Sequence, residues 1–239
     1  MKKLKTKDSL TFFNSRIKQA YHPMDGGLKH AGFYAEHAKG KVLDIGFGLG
    51  YIAYACVKKA IKNKERIEIT GLELDKGILG KIKGIDLDCE YEFIKEAVER
   101  LNFENSKVRI KIIPGDARKT VKSLNGKFNA VFLDGFSVMK NPELYSYDFL
   151  LMLKARLAGG GVVVSYTNNP VFRAGLREAG FNIGSVGGGT IAGVNKNFKL
   201  NDAEEKLIRA FGRSFRDPYL NWSRKRIIKE WKKLPLNPF

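Results

Sequence analysis

Lys41-Val42-Leu43-Asp44-Ile45-Gly46-Phe47-Gly48-Leu49-Gly50 is the stretch on which the reading of this chain turns. A short apolar run, Val42 to Ile45, is followed at once by glycines at 46, 48 and 50, and Gly50 opens an amphipathic stretch reaching Asn63. The order of buried strand, glycine turn and helix lets backbone approach a ligand without interference from Cβ atoms. A small polar cofactor suits such a turn, although a purely structural turn can have the same composition. A dinucleotide fingerprint would require G-x-G-x-x-G; here the third glycine position is Tyr51, and Gly50 comes one residue early.

Outward from that turn, short apolar runs alternate with amphipathic stretches, the signature of parallel strands joined by covering helices. The apolar runs predict strands over Val42 to Ile45, Ile67 to Leu74, Val108 to Ile113, Phe128 to Asp134 and Val162 to Tyr166. Helices are expected over Gly50 to Asn63, Glu90 to Leu101, Ala117 to Leu124, Ser146 to Leu157 and Pro170 to Ala179. The last has proline at a first helical position and Gly180 as its stop. Two further runs, Phe181 to Val186 and Thr190 to Val194, flank Gly187-Gly188-Gly189 and read as an antiparallel hairpin. Five parallel strands followed by a hairpin resemble the sheet of the class I methyltransferases. The resemblance implies a doubly wound, Rossmann-like α/β fold whose sheet has seven strands, mostly parallel, with the hairpin at one edge.

The chain has 239 residues, 44% of them hydrophobic, enough for one domain with a sizeable core. Three segments are expected within it: a leader or lid over 1–40, the core over 41–195, and a basic helical extension over 196–239. In the leader, Tyr21-His22-Pro23-Met24-Asp25-Gly26-Gly27 reads as a turn-rich loop. In the extension, helices are expected after Asn201 and Ser223, both good N-cap residues. No apolar run is long enough to cross a membrane, and Met1-Lys2-Lys3-Leu4-Lys5 lacks the apolar stretch of a secretory signal, so a cytoplasmic protein is expected. Cys56 and Cys89, with His22, His30 and His37, form no spacing that would hold a metal.

Charge is the strong compositional signal. Lys and Arg number 43 against 25 Asp and Glu, a net charge of +18, which favours a polyanionic partner. A charge-rich thermophilic surface would raise Glu together with Lys and leave a smaller excess. Basic residues concentrate between Arg213 and Lys233, where Arg224, Lys225 and Arg226 are adjacent. They are candidate phosphate contacts on a helix docked through Ile227, Ile228 and Trp231.

The second, third and fourth strands each end at an acidic residue. The spacing of Asp44, Gly46, Gly48 and Gly50 resembles the first motif of class I methyltransferases, implying S-adenosylmethionine as cofactor, with Phe47 inside the same turn. Glu73, at the tip of the second strand, is placed to accept both ribose hydroxyls. Asp75 competes for that role, its other role being to cap the next helix. Asp116 can receive the adenine amino group while Ala117 donates its backbone N–H; an N-cap is the alternative for Asp116. Asp134 ends the fourth strand at the carboxyl edge, where open α/β sheets react their ligands, or else forms a turn with Gly135.

Phe132-Leu133-Asp134-Gly135-Phe136-Ser137 and Lys140-Asn141-Pro142-Glu143-Leu144-Tyr145-Ser146 resemble the methyltransferase part of the MnmC family, which modifies the wobble uridine of tRNA. The similarity continues through Gly159 to Thr167 and Val171 to Phe181, and reaches Ser9-Leu10-Thr11, Tyr21-His22 and Phe215-Arg216-Asp217-Pro218. It implies methyl transfer from S-adenosylmethionine to the amine of 5-aminomethyluridine, or its 2-thio form, in tRNA. Asp134 would position the amine or take its proton. Phe136 and Tyr166 would stack on the uracil unless they belong to the core, and Tyr21, His22 and Lys140 would lie on the substrate side. The length leaves no room for the FAD-dependent oxidase domain of the bifunctional members, and Gly187 to Val194 lacks the basic character expected of the family. Alternatives are a methyltransferase or aminopropyltransferase acting on a small amine or a protein, and a non-catalytic RNA-binding protein.

Overall fold

The computed structural model describes residues 2–5, 10–15 and 17–235; Met1 and Ser9 of the sequence reading lie outside the described residues. The chain folds as two compact units, Met1–Ala117 and Arg118–Phe239.

In the first unit, β1 (Lys2–Lys5), β2 (Leu10–Asn14) and β3 (Gln19–Ala20) pair as a small antiparallel sheet. There follow α1 (Met24–Ala35), β4 (Gly40–Ile45), α2 (Tyr51–Lys62), β5 (Ile67–Glu73), α3 (Lys76–Leu79), α4 (Cys89–Arg100), β6 (Asn102–Glu104) and β7 (Val108–Pro114). Strands β4, β5 and β7 are parallel, and β6 runs antiparallel along the outer edge of β7. In β4 burial is continuous from Val42 to Ile45, as in a strand covered on both faces. In β7, buried Val108, Ile110 and Ile112 alternate with exposed Arg109 and Lys111, so there only one face is covered.

Met24-Asp25-Gly26-Gly27 is the first turn of α1 and not part of a loop, which corrects the sequence reading of that stretch. Packing overrides the poor helix propensity of glycine here. A Cβ on Gly27 would stand 2.4 Å from the Tyr51 ring, so glycine is what lets α1 lie against α2.

In the second unit, α5 (Ala117–Ser123) leads to β8 (Phe128–Leu133), α6 (Tyr147–Lys154), β9 (Leu157–Ser165), α7 (Pro170–Glu178), β10 (Asn182–Val186), β11 (Gly189–Gly193), α8 (Asp202–Phe211) and α9 (Arg224–Lys233). β8 and β9 are parallel, while β11 is antiparallel to both β9 and β10. The expected hairpin is present. Gly187 and Gly188, both at positive φ, make its two-residue turn. Buried Arg173 pins it to α8, donating to Thr190 Oγ1 and Ser185 Oγ, to the Gly189 carbonyl and to Glu204.

The two helix caps read from sequence, Asn201 and Ser223, are made: each accepts a backbone N–H, and Asn201 with Glu204 forms a reciprocal capping box. Ser146 and Asn169 cap α6 and α7 in the same way.

The main sheet has eight strands, in the order β10-β11-β9-β8-β4-β5-β7-β6, and not seven. The additional strand is β6. Its three residues include one apolar side chain, Phe103, too short a run to register as a periodic pattern, and it exists by pairing with β7. The α/β, Rossmann-like class is otherwise as read.

Candidate functional site

In the first unit the site is built on the turn between β4 and α2. Gly46, Gly48 and Gly50 all have positive φ, at 92°, 56° and 74°. The turn is tied to the neighbouring strand, since Gly46 and Phe47 both donate their N–H to the Leu72 carbonyl, at 3.0 and 3.1 Å. Its far side is tied to α4, where the Tyr91 hydroxyl donates to the Leu49 carbonyl at 2.6 Å. A Cβ on Gly50 would meet Ile94 at 2.6 Å, so this glycine is needed both for its conformation and for its space. At Gly48 the Cβ position is open, 3.6 Å from the Gly46 carbonyl and 3.7 Å from the Tyr21 ring. That opening is where a ligand can lie against backbone.

Phe47 points away from such a ligand. Its ring is 3% exposed and lies over Gly71, where a Cβ would stand 2.4 Å from it, so what Phe47 can offer a cofactor is backbone. Asp44, at the end of β4, is fully buried.

Glu73 closes the cradle from β5. Its carboxylate accepts the N–H of Gly48 at 2.9 Å and of Asp75 at 2.7 Å. Burial raises its pKa, opposed by these backbone hydrogen bonds. Asp75 has the capping role: its Oδ1 accepts the Gly77 N–H of α3 at 2.9 Å, while Oδ2 accepts from Asn14 Nδ2 at 3.1 Å and from the Tyr21 hydroxyl at 3.4 Å. The leader is thereby fastened beside the glycine turn. Burial raises the Tyr21 phenol pKa, and the charge of Glu73 adds to that shift. Nothing in the pattern around Asn14 marks it beforehand, because its partners lie 7 and 61 residues away.

β5 and β7 end together: Glu73 is in register with Pro114, and the Gly115 N–H donates to the Glu73 carbonyl at 2.8 Å. Asp116 is half-buried just beyond, and Ala117 begins α5.

In the second unit, half-buried Asp134 follows β8. The segment after it is clamped at several points. Phe136 donates its N–H to Asn141 Oδ1 at 2.9 Å, and the buried Tyr145 hydroxyl donates to the Phe136 carbonyl at 3.1 Å. The Ser165 hydroxyl, at the end of β9, donates to the Leu133 carbonyl at 2.7 Å. Tyr145 has its pKa raised by burial first and by the charge of Asp134 second. A Cβ on Gly135 would come within 2.9 Å of Leu144, so Gly135 is where the segment passes closest to its clamp. Asn141 and Tyr145 are functional-site residues beyond those the sequence marks; their signal is the same stretch, Lys140 to Ser146, that carries the resemblance.

The remaining candidates are all at least partly exposed. His22 is exposed, and its ring lies 4.6 Å from that of His30 at a 30° tilt. Tyr166 is 52% exposed, so it is not a core residue, while Phe136 and Lys140 are half-buried. Arg224, Lys225 and Arg226 form the first turn of α9, with the Arg226 guanidinium 4.1 Å from the centre of the Trp222 ring.

Residues 86–190 match the family described as S-adenosyl-L-methionine-dependent methyltransferase. An uncharacterised protein of Methanocaldococcus jannaschii is 30% identical across 89% of this chain and 66% of its own length. The tRNA 5-methylaminomethyl-2-thiouridine biosynthesis bifunctional protein MnmC of Azoarcus sp. is 27% identical across 72% of this chain. The chain spans only 31% of that protein. The crystal structure of MNMC2 from Aquifex aeolicus superposes with a TM-score of 0.77 at 28% identity, over 96% of this chain and 82% of that one. The chain is thus similar to MnmC proteins over most of its length, and its residues 86–190 carry the match to the S-adenosyl-L-methionine-dependent methyltransferase family.

Proposed function

We propose that the protein methylates the exocyclic amine of 5-aminomethyluridine, or its 2-thio form, at the wobble position of tRNA, and works in the cytoplasm where that substrate is processed. The observation that carries this reading is the likeness to the Aquifex MNMC2 structure over 96% of the chain. The charge of +18 supports a polyanionic substrate over a small amine.

When bound, S-adenosylmethionine supplies the methyl group, which passes to the amine nitrogen as its bond to sulfur breaks. The open backbone at Gly46, Gly48 and Gly50, with Asp44 and the Phe47 main chain, suits the cofactor's amino-acid and sugar parts. Glu73, already oriented by two backbone N–H groups, accepts from the ribose hydroxyls. Asp116 accepts from the adenine amino group, and the Ala117 N–H reads the adjoining ring nitrogen.

Asp134 orients the neutral amine and takes the proton it sheds once the new N–C bond has formed. Holding the amine in line accounts for much of the rate. Asn141 and Tyr145 serve by fixing the segment that carries Asp134. Phe136 and Tyr166 offer ring faces to the uracil, with Tyr21, His22 and Lys140 on the substrate side, while Arg224, Lys225 and Arg226 hold phosphates.

The test is transfer of label from S-adenosylmethionine into tRNA carrying 5-aminomethyluridine, with tRNA lacking that base as control. Label confined to the aminomethylated tRNA is expected. Cofactor binding with no label in either tRNA would overturn the acceptor assignment.

A further inference from the structure

Tyr219, at 71% exposure, is the most exposed large hydrophobic side chain among the described residues. It sits in the tight turn Asp217-Pro218-Tyr219-Leu220, closed by the Leu220 N–H donating to the Asp217 carbonyl at 2.8 Å. Asp at the first position and Pro at the second suit that turn.

Both ends of the turn are anchored. The carboxylate of Asp217, 0% exposed, accepts from Arg118 Nη1 at 2.7 Å and from the N–H groups of Asn221 and Trp222 at 3.0 and 2.9 Å. Its own N–H donates to the Asp148 carboxylate at 2.6 Å. Arg118 also reaches the Trp222 carbonyl at 2.9 Å, and the Leu220 side chain is buried. A phenol ring is thus held out in water on backbone that is already ordered, so a partner stacking on it would pay little to immobilise it.

The chain leaving this turn is cationic. Trp222 carries the Arg226 guanidinium on its face, and Lys225, Arg226 and Lys229 are exposed on α9. Glu230, the acidic residue of that helix, is engaged by Lys233 at 2.9 Å. An exposed aromatic ring followed closely in the chain by a row of exposed cations is the chemistry that binds a single-stranded nucleic acid: the ring takes a base and the cations take the adjoining phosphates. A duplex keeps its bases stacked inside and cannot use the ring.

We propose that Tyr219 is a stacking platform for an unpaired RNA base, with Lys225, Arg226 and Lys229 holding the neighbouring phosphates. This rests on the reading that the substrate is RNA.

The experiment measures binding of a labelled uridine-rich single strand of about eight nucleotides, and of an RNA duplex of equal length, across a salt series. The proteins are the full chain and its Tyr219→Ala, Tyr219→Phe and Lys225→Gln variants. Tyr219→Ala is expected to weaken single-strand binding about 5- to 150-fold, with the salt slope unchanged. Tyr219→Phe should restore it, and duplex binding should not respond to either. Lys225→Gln should lower the slope by about 0.7. Wild-type affinity in Tyr219→Ala, an equal loss toward duplex, or equal competition by polyglutamate would each overturn the proposal. Thermal melting confirms that Tyr219→Ala is folded, and Tyr219→Phe guards against a change at the turn. Absence of methyl transfer by a wild-type protein that binds single strands through Tyr219 would sink the methylation reading alone. Normal methylation with no dependence of binding on Tyr219 would sink this one alone.

Discussion

The carboxylate of Glu73 accepts the backbone N–H of Gly48 at 2.9 Å, so the tip of β5 and the glycine turn after β4 are a single hydrogen-bonded piece. One side chain therefore both shapes the turn and presents an acceptor beside it. Replacing it with alanine removes both. Glu73→Ala is expected to weaken S-adenosylmethionine binding by about tenfold or more, the scale of a hydrogen bond to a charged group. Calorimetric titration checks this, and unchanged affinity would transfer the ribose contact to Asp75.

Glu73 also has a pH signature. Burial raises its pKa in the folded protein above the ordinary value of 4.5. An acid that protonates more readily when folded contributes its stability in full below the unfolded value and loses that contribution as pH rises through the folded one. The melting temperature of the wild type relative to Glu73→Gln should therefore fall as pH increases from 4.5 through the raised value. A difference that grows with pH would contradict a buried, desolvated carboxylate.

Gly71 supports the same turn from beneath. An added methyl would stand 2.4 Å from the Phe47 ring and 3.1 Å from Ile112, and Phe47 is itself buried. Gly71→Ala should cost about 1–3 kcal/mol in denaturant unfolding, as overpacking does. It should weaken cofactor binding as well, because the ring cannot move without the turn. Intact affinity in a destabilised variant would show that the turn adjusts independently of Phe47.

Asp134 and Tyr145 separate chemistry from positioning. Asp134→Ala should hold S-adenosylmethionine within tenfold of the wild type yet lose about 10²- to 10⁴-fold in methyl transfer, the usual worth of a positioned acid–base group. Tyr145→Phe removes the hydroxyl that donates to the Phe136 carbonyl. It is expected to lower kcat with little change in cofactor affinity, and to cost about 1 kcal/mol of stability. Full turnover in Asp134→Ala would remove it from the reaction.

The Arg118–Asp217 pair, 2.7 Å apart and nearly inaccessible to water, is a stability determinant of the second unit. Asp217→Ala leaves the Arg118 charge without its carboxylate and two backbone N–H groups without their acceptor, and should destabilise that unit by about 3–5 kcal/mol in chemical denaturation. A loss under about 1 kcal/mol would mean that water satisfies what Asp217 leaves behind.

The order of elements from β4 to β11 was largely legible in sequence because each main strand is a compact apolar run and several helices, α6 and α7 among them, begin at a local side-chain cap. Asn201 and Ser223 show this at its simplest, since capping needs only a side chain and an N–H three residues on. The glycine turn and the acidic strand ends at Glu73, Asp116 and Asp134 were legible for the same reason: strand, turn and carboxylate are adjacent in the chain.

Contacts that close over distance were not legible. Pattern alone could not show that Asp75 is spent on Asn14 and Tyr21, that Gly27 is spent on Tyr51, or that β6 exists as an edge. Sequence by itself determined the α/β alternation, the helix caps and the candidate cofactor turn, since all arise from interactions within a few residues. Tertiary structure alone decided which carboxylate stays beside the turn, which aromatic rings are buried and which, like Tyr219, stand in water. Those outcomes depend on hydrogen bonds and packing between segments that only folding brings together.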